Sequence, residues 1–377
     1  MITSEKLLSH GVEEVIVKEH LEAALKSDKK LRIKFGADPT APDLHLGTAV
    51  VLRKLREFQN LGHQVVFIIG DYTAKIGDPS GRSKARPPLT DAEIKANAKT
   101  YFQQVGKILD VKKAEIHHNS EWYKKEKFDF AIGLMAKFTI QRILERDDFQ
   151  KRIKDGVEVY EHETLYPMMQ AYDSMMVKAD VEIGGNDQKF NMLTGRDLQR
   201  HMGLPEQDVI TVPLLVGIDG HKKMSKSAGN YIGITEGATV MFGKIMSVPD
   251  TLINQYYELC TNTARSIEDP REAKLELAKI ITGTYHNAKL AEKAKEEFVR
   301  VFSKHGKPSK RPVVKSAGGL SLVDGMVKAG AASSKGEARR LVEQGGVEIN
   351  NKKATNPSET IPAGATVKVG KHYYFDT

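Results

Sequence analysis

The sequence contains little cysteine and lacks long apolar segments. Of its 377 residues only Cys260 is a cysteine, which excludes a disulfide framework and a zinc site built from several cysteines. The longest uninterrupted aliphatic or aromatic run, VVFII at 65–69, has five residues, whereas a membrane span needs about 18. The first thirty residues alternate charged with apolar side chains, so they lack the apolar core of a secretory signal. We therefore expect a cytoplasmic protein that does not enter a membrane.

Two common phosphate-binding glycine loops are also absent. The sequence has neither G-x-x-x-x-G-K-[ST] nor a strand-linked G-x-G-x-x-G. Hydrophobic residues make up 40% and charged residues 28%, a composition that excludes a disordered or fibrous chain. The length predicts two or three domains.

The positive charge is concentrated near the C-terminus. The chain has 57 Lys and Arg against 49 Asp and Glu, a net charge of +8. Residues 306–377 hold 12 basic and 6 acidic residues, which leaves +6 for this segment and +2 for the rest. Such a basic segment is typical of a polyanion-binding module, but it is equally typical of a solvated surface, and charge alone leaves both open.

Hydrophobic patterning predicts an α/β fold. A strand at 31–35, a proline-containing loop at 37–43, a helix at 47–61 and a strand at 64–69 form a βαβ unit, which implies parallel strands and a right-handed crossover. Further elements are predicted for 91–109 (helix), 114–117 (strand), 131–150 (helix), 181–184 (strand) and 209–215 (strand). Loops that follow parallel strands face a common ligand site.

The C-terminal part of the chain has a different composition. Residues 236–302 are rich in Ala, Lys, Glu and Leu and are predicted to be helical. Residues 306–319 contain two prolines and three glycines, as a linker would. In the last segment, Ser334 and Glu337 predict a capping box, 347–349 a strand, and Asn350-Asn351 a hairpin turn.

Two segments have the chemistry of phosphate binding. The first, DPTAPDLHLGT at 38–48, places His45 and Thr48 at the start of the predicted helix, where backbone amides favour a phosphate, and Gly47 permits close approach. The second, KKMSKS at 222–227, offers three ammonium groups and two hydroxyls. Taken singly, these letters are explained better by an ordinary capped loop and by a basic surface turn.

Together the two segments resemble the paired signature of class I aminoacyl-tRNA synthetases. KMSKS is complete at 223–227, and the HIGH motif is present as HLGT at 45–48. Tyr166, Gln170 and Asp173 share one helix face and resemble the Tyr-x3-Gln-x2-Asp signature of tyrosyl-tRNA synthetases. GGNDQ at 184–188 is similar to the family's Gly-Gly-[Ser/Thr]-Asp-Gln turn. Residues 333–347 resemble an RNA-binding fold shared with a small-subunit ribosomal protein.

The resemblance implies both an architecture and a reaction. It predicts a Rossmann-like parallel-sheet catalytic domain at 1–232, a helical anticodon-binding domain at 233–305, a linker at 306–319 and a small α+β RNA-binding domain at 320–377. The implied activity is ATP-dependent formation of tyrosyl-adenylate from L-tyrosine, followed by transfer to the 3′ end of tRNA(Tyr). ATP would bring Mg²⁺, and no protein-bound metal is expected. A homodimer is implied, with 131–153 as its interface region.

The resemblance also implies roles for individual residues. Those implied in catalysis are Thr40, His45, Thr48, Lys223 and Lys226. Those implied in ATP binding are Asp38, His45, Gly47, Gly185, Asp187, Lys223 and Lys226. Those implied in a mobile phosphate clamp are Arg82, Lys84 and Arg86. Those implied in tyrosine binding are Lys34, Gly36, Asp78, Tyr166, Gln170, Asp173 and Gln188. Those implied in RNA binding are Lys335, Arg339 and Arg340.

Three positions depart from the family pattern. Thr48 replaces the second His of HIGH, and a hydroxyl can donate one hydrogen bond but carries no charge. Asn186 replaces Ser or Thr, and Lys34 stands where many members have a tyrosine that contacts the substrate phenol. Two alternatives therefore stay open. One is an impaired or repurposed paralogue that binds RNA. The other is a tryptophan-activating class I ligase, which usually lacks the Tyr-Gln-Asp face and the C-terminal module.

Overall fold

The structure is a computed structural model that describes residues 3–80, 89–303, 311–314, 319–370 and 373–377. The chain forms two compact units. The first consists of Met1–Gly237 and Lys244–Leu277, and the second of Ala238–Gly243 and Ala278–Thr377. None of the helices in the described residues is long and apolar enough to span a bilayer.

The described residues form ten strands and sixteen α-helices. The strands are β1 Glu14–Ile16, β2 Arg32–Ala37, β3 Gln64–Ile69, β4 Glu115–His118, β5 Val181–Gly185, β6 Asp208–Val212, β7 Val347–Ile349, β8 Lys352–Lys353, β9 Thr366–Val369 and β10 Tyr373–Asp376. The helices up to β6 are α1 Ser4–Leu7, α2 Lys18–Lys26, α3 Leu46–Asn60, α4 Asp91–Val105, α5 Ser120–Tyr123, α6 Phe128–Met135, α7 Ile140–Leu144, α8 Asp147–Lys154, α9 Glu161–Met176 and α10 Lys189–His201. Those after it are α11 Ala238–Met246, α12 Ile253–Cys260, α13 Pro270–Tyr285, α14 Ala288–Phe298, α15 Leu322–Lys328 and α16 Lys335–Glu343.

The sheet of the first unit has a reversal of strand order at its centre. Within the described residues its order is β1-β6-β5-β2-β3-β4, with β1 antiparallel to β6 and the other pairs parallel. The chain runs outward from β2 through β3 to β4 and then returns to β5 beside β2. Ligands bind at such a switch point, beyond the carboxyl ends of the strands.

The predicted βαβ unit is confirmed. The predicted strand at 64–69 is β3, and its residues 65–69 are all buried, as a parallel strand covered on both faces requires. The predicted helix at 47–61 is α3, which begins one residue earlier at Leu46 with His45 as its N-cap. Leu52, Leu55 and Phe58 form its fully buried face.

Three other boundaries were predicted wrongly. The single helix expected at 131–150 is three short helices, α6, α7 and α8. Thr139 starts a new helix by accepting a hydrogen bond from Arg142 N at 3.2 Å, and the extended backbone of Arg146 separates α7 from α8. The strand expected at 209–215 ends at Val212, because Pro213 has no N–H to donate to a neighbouring strand. The helix expected at 91–109 ends at Val105.

The C-terminal part of the second unit is a small α+β fold. Its described sheet has the order β10-β9-β7-β8 with antiparallel pairs. Asn350 and Asn351 have φ of 49° and 64°, which confirms the predicted hairpin turn. Only half of the predicted capping box forms. Ser334 Oγ accepts from Glu337 N at 3.2 Å, but the Glu337 carboxylate accepts from Ser333 N at 2.7 Å instead of reaching back to Ser334 N.

Most of the predicted linker lies outside the described residues, which resume at 311–314 and again at 319. In the segment 311–314, Pro312 O accepts from Asp376 N and Val314 N donates to Asp376 O, both at 2.8 Å. This part of the predicted linker therefore lies along β10 and belongs to the C-terminal fold.

Candidate active site

A cavity of about 1250 Å³ opens at the carboxyl ends of β2, β3, β5 and β6. Its position is the one that the strand order indicates. Sixteen residues predicted to act in catalysis or to bind ATP or tyrosine line it: Lys34, Gly36, Asp38, Thr40, His45, Gly47, Thr48, Asp78, Tyr166, Gln170, Asp173, Gly185, Asp187, Gln188, Lys223 and Lys226. The predicted clamp of Arg82, Lys84 and Arg86 lies outside the described residues.

Asp173 forms one end of the cavity. It is buried on α9, where its Oδ1 accepts from Trp122 Nε1 at 3.0 Å and its Oδ2 from Asn119 Nδ2 at 3.2 Å. Burial raises the pKa of Asp173 to about 6, although Lys34 and these hydrogen bonds act in the opposite direction. At neutral pH the group is therefore an ionised acceptor with remaining lone pairs. Neither Asn119 nor Trp122 was predicted, because they lie on another element about 50 residues away.

Lys34 is held beneath this end of the cavity by protein partners. Its ammonium donates to Glu182 Oε1 at 2.8 Å, Ser174 Oγ at 2.7 Å and the Gln170 carbonyl at 2.9 Å. An ammonium has three N–H donors, so all of them are used within the protein. Glu182, on β5, was not predicted as a site residue. The contact between Lys34 and tyrosine stays a prediction.

Carboxylates also line the cavity, among them Asp38 and Asp78. The Tyr166 hydroxyl donates to Asp38 Oδ2 at 3.0 Å, and Gln188 Nε2 donates to Asp78 Oδ2 at 2.6 Å. Burial, followed by the nearby charge of Asp38, raises the pKa of Tyr166 well above its ordinary value, so the phenol stays protonated. This region offers acceptors and negative charge to a cationic group.

The turn after β3 depends on a glycine. Thr73 Oγ1 donates to Asp38 Oδ1 at 2.7 Å, and a Cβ atom at Gly70 would overlap that carboxylate and Thr73 Oγ1. Thr40 lies on the adjacent loop, where its N–H donates to the Asp38 carbonyl at 2.8 Å. Gly70 was predicted only as part of a turn that faces the site, and Thr73 was not predicted, because the sequence does not show which side chain crosses above that glycine.

His45 lies at the N-terminus of α3 with its ring in the cavity wall. Its Nδ1 accepts from Thr48 N at 3.4 Å. Burial, together with the charges of Lys226 and Lys223, lowers the pKa of His45 to about 4, so the imidazole is neutral at pH 7. A Cβ atom at Gly47 would lie 3.0 Å from His45 Nδ1, so a larger residue there would crowd the ring.

The two lysines of the KMSKS segment differ in their partners. Lys223 Nζ donates to Asp187 Oδ2 at 2.6 Å. The buried Lys226 Nζ makes no hydrogen bond to any of the described residues. Burial lowers the pKa of Lys226, and the charge of Asp43 opposes this effect. A buried ammonium without an anionic hydrogen-bond partner is costly, so the part of the cavity beside Lys226 favours a polyanion.

Gly185 gives the cavity its shape beside Asp187. A Cβ atom at Gly185 would lie 2.7 Å from Asp187 Oδ1 and 3.0 Å from Leu214 Cδ2.

Among the described residues, no group of three or more His, Cys, Asp and Glu side chains is placed to hold a metal ion.

The predicted RNA-binding residues lie on α16. Lys335, Arg339 and Arg340 are all exposed, and Lys335 Nζ forms an ion pair with Asp324 Oδ1 at 2.7 Å. Exposed, closely spaced cations on one helix are suited to phosphate contacts.

Family models match most of the chain. The model described as tRNA synthetases class I (W and Y) matches residues 26–303, and the S4 domain model matches residues 321–367. Tyrosine–tRNA ligases from Dehalococcoides mccartyi and Aquifex aeolicus are each 49% identical to this chain, over 98% of it and 97% of their own length.

Solved structures with a similar fold include two tyrosyl-tRNA synthetases. The C-terminally truncated mitochondrial enzyme of Aspergillus nidulans has a TM-score of 0.65 at 22% identity and covers 77% of this chain and 91% of its own. The Archaeoglobus fulgidus enzyme complexed with L-tyrosine has a TM-score of 0.61 at 21% identity and covers 77% of this chain and 98% of its own. At these identities the likeness concerns the fold alone.

Proposed function

The chain belongs to the tyrosine–tRNA ligases, which are class I aminoacyl-tRNA synthetases, and from that premise we propose which of its residues perform each step. The enzyme activates L-tyrosine with ATP and transfers it to tRNA. The tryptophan-activating and repurposed alternatives are not favoured, because relatives nearly half identical over almost the full length are tyrosine ligases.

Tyrosine is recognised through Asp173, and this residue is the observation that carries the proposal. The buried carboxylate is positioned by Trp122 and Asn119 and accepts a hydrogen bond from the substrate phenol. Phenylalanine would fill the same space but make no hydrogen bond to this carboxylate, which would lose one donor and the ~1–3 kcal/mol that a hydrogen bond to a charged group contributes. Tyr166, Gln170 and the carboxylates beside them hold the α-amino group.

Adenylate formation needs no protein nucleophile. The tyrosine carboxylate attacks the α-phosphorus of ATP, a new O–P bond forms, and the bond to the leaving pyrophosphate breaks. The protein positions the reactants and stabilises the charge on the phosphates. We assign the γ-phosphate to Thr40 and His45, the ribose to Asp187, and the departing pyrophosphate to Lys223 and Lys226.

Mg²⁺ enters with ATP as part of the substrate complex. The further clamp of Arg82, Lys84 and Arg86 remains part of the proposal, since it rests on the sequence alone. Gly47 and Gly185 let the nucleotide approach the backbone, because a side chain at either position would crowd His45 or Asp187.

In the second step the 3′-terminal adenosine of tRNA takes the tyrosyl group and AMP leaves.

A second copy of the chain is the proposed partner of helices α6 to α8. Large apolar side chains are exposed here on consecutive elements: Phe128, Ile132, Ile140 and Ile153, with Phe128 76% exposed. Contiguous exposed apolar side chains are typical of interaction surfaces, and the segment coincides with the interface expected at 131–153. We propose a homodimer that works in the cytoplasm.

The C-terminal module contributes RNA affinity. Lys335, Arg339 and Arg340 are the proposed phosphate contacts. Replacing all three with alanine should weaken tRNA binding and make log K fall less steeply with log salt, by about 0.7–0.9 for each phosphate that is no longer neutralised. Tyrosine-dependent pyrophosphate exchange should stay unchanged, because it requires no tRNA. Exchange that falls together with tRNA binding would contradict this assignment.

The deciding experiment is ATP–pyrophosphate exchange with tyrosine, phenylalanine and tryptophan in parallel. We expect exchange with tyrosine alone, and a loss of that exchange in Asp173→Asn, which keeps the shape of the side chain but not its charge. Asp28→Asn removes an exposed carboxylate of the same unit and serves as the matched control. Exchange with tryptophan would contradict the substrate assignment. Folded enzyme that binds tRNA without any exchange would contradict the proposed function and favour an impaired or repurposed synthetase. Restored exchange in Thr48→His would then attribute the loss to Thr48.

A further inference from the structure

Three amide side chains of the site are joined in one hydrogen-bonded chain, in which Asn191 is buried and Gln170 and Gln188 are half-buried. Asn191 lies at its centre on α10 and is 0% exposed. Its Nδ2 donates to Gln170 Oε1 at 3.0 Å and to Gln188 Oε1 at 3.1 Å. Its Oδ1 accepts from Arg146 Nη1 at 2.8 Å. A single asparagine therefore sets the geometry of two glutamines that line the tyrosine end of the cavity.

The charged residues at the ends determine the direction of this chain. A guanidinium only donates hydrogen bonds, and an ionised carboxylate only accepts them. Because Arg146 donates, Asn191 must turn its oxygen toward Arg146 and its NH₂ toward the two glutamines. At the far ends the glutamine Nε2 atoms donate to Glu182 Oε1 at 3.0 Å and to Asp78 Oδ2 at 2.6 Å. Reversing any one amide would bring two acceptors or two donors together.

Arg146 also fixes the carboxylate next to this chain. It is 2% exposed, and its Nη2 donates to Ser80 Oγ, which in turn donates to Asp78 Oδ1 at 2.7 Å. Nη2 itself lies 3.5 Å from Asp78 Oδ1. One buried guanidinium therefore orients both the amide chain and the acidic group beside it.

The fixed direction has a consequence for the substrate. A carbonyl oxygen has two lone pairs, and the Oε1 atoms of Gln170 and Gln188 each use one for Asn191. The second remains available to the cavity that both residues line. These two carbonyls and the nearby Asp78 carboxylate make a wall of acceptors, which suits a group that has only donors.

We propose that Arg146 and Asn191 are positioning residues for the α-ammonium group of the substrate. They hold the two glutamine carbonyls toward it and keep the glutamine N–H groups away. This inference rests on the proposed function, which places the amino group of tyrosine at this wall. Neither residue touches the reacting atoms.

The sharpest test is Asn191→Asp, which keeps the size of the side chain but removes both donors. The glutamines then lose the group that orients their carbonyls. We expect the Kd for L-tyrosine to rise about 10- to 100-fold, as expected when one or two hydrogen bonds to a charged group are lost. The Kd for 3-(4-hydroxyphenyl)propionate, which lacks the amino group, should change less than about threefold. Calorimetry on the full chain measures both.

The outcomes separate this proposal from its rivals. The added negative charge alone would tighten tyrosine binding, so a lower or unchanged tyrosine Kd would overturn the orientation argument. Equal losses for both compounds would show general disruption of the pocket and would also overturn it. Thr194→Val is the matched control, because Thr194 is buried on the same helix and its Oγ1 donates to the Phe190 carbonyl at 2.9 Å, its one hydrogen bond within the described part of the chain.

A second pair of variants tests the Arg146 end of the hydrogen-bonded amide chain. Arg146→Lys keeps a donor and the positive charge, and should retain part of the preference for tyrosine over the propionate. Arg146→Met has neither and should lose it, while the Kd for ATP stays within about threefold of wild type. Equal behaviour of the two variants would refute the proposal. Failure of the wild type in tyrosine exchange would refute the proposed function instead, so the two failures are distinguishable.

Discussion

Replacing Lys34 with methionine should destabilise the first compact unit by about 3–5 kcal/mol, the usual result of leaving one member of a buried ion pair without its partner. Lys34 and Glu182 are 0% and 2% exposed, and their Nζ and Oε1 atoms are 2.8 Å apart. Methionine retains much of the length and apolar volume of the lysine side chain. The expected effect therefore comes from the lost charge and not from a cavity.

The partners of Glu182 place the loss near the lower end of that range. After the substitution its carboxylate would still accept from Gln170, Ser174 and Gln207. About 3 kcal/mol remains a more than hundredfold change in the ratio of folded to unfolded chains. The pair joins β2 to β5, so the loss should weaken the sheet where the cavity opens.

Urea unfolding followed by tryptophan fluorescence measures this effect directly. Trp122 is the only tryptophan in the sequence and is buried in the first unit. With an m value of about 3 kcal/mol per M, the midpoint should fall by roughly 1 M. Lys29→Met is the matched control, because its ion pair with Asp180 at 2.5 Å is on the surface and should contribute less than about 1 kcal/mol.

A double-mutant cycle separates the pair from its surroundings. Glu182→Gln should be destabilising alone, and the double variant Lys34→Met with Glu182→Gln should lose less than the sum of the two, by about 1–3 kcal/mol. An unchanged midpoint for Lys34→Met, or strictly additive losses, would refute the reasoning.

Three further predictions concern the cavity. Lys226→Met should lower the rate of tyrosine-dependent pyrophosphate exchange about 10²–10³-fold, the typical effect of losing one donor to developing charge. The Kd for tyrosine, measured by calorimetry, should stay unchanged. An equal loss of exchange and of tyrosine affinity would contradict the assignment of Lys226 to the pyrophosphate. Gly70→Ala should displace Asp38 and reduce exchange more than tenfold. Gly36→Ala, whose Cβ atom would meet no described atom within 4 Å, should keep its fold by circular dichroism. Normal exchange in Gly70→Ala together with a disrupted fold in Gly36→Ala would contradict the geometry of the two glycines. The KM for tyrosine should rise as pH falls from 7 to 5, because Asp173, with a pKa of about 6, becomes protonated and turns one acceptor into a donor. If the KM of the wild type were as independent of pH as that of Asp173→Asn, this reasoning would be refuted.

Much of the fold was predictable because the deciding signals are local. The apolar run of β3 and the spacing of α3 each identify an element without reference to the rest of the chain. The division of 131–150 into α6, α7 and α8 was not predictable in this way. It depends on one capping threonine, Thr139, and on the extended backbone of Arg146, in a segment without proline.

The site follows the same rule. Tyr166, Gln170 and Asp173 were visible together because one helix presents all three, and the KMSKS lysines because they are adjacent. Glu182, Asn191 and the other orienting groups were not predicted, since their partners lie on different elements. The interaction that makes each of them important exists only after the sheet and its helices have assembled.

The distance along the chain between Lys34 and Glu182 also bears on how the molecule is made. The two residues are separated by 148 positions, and joining the ends of such a segment costs about 4 kcal/mol in loop-closure entropy. A nascent chain leaving the ribosome contains HLGT at 45–48 long before β5 has been synthesised, whereas KMSKS at 223–227 is made after β5. The amino-acid pocket therefore cannot assemble on an early translation intermediate, and the selection of tyrosine begins only once most of the first unit has been released and folded.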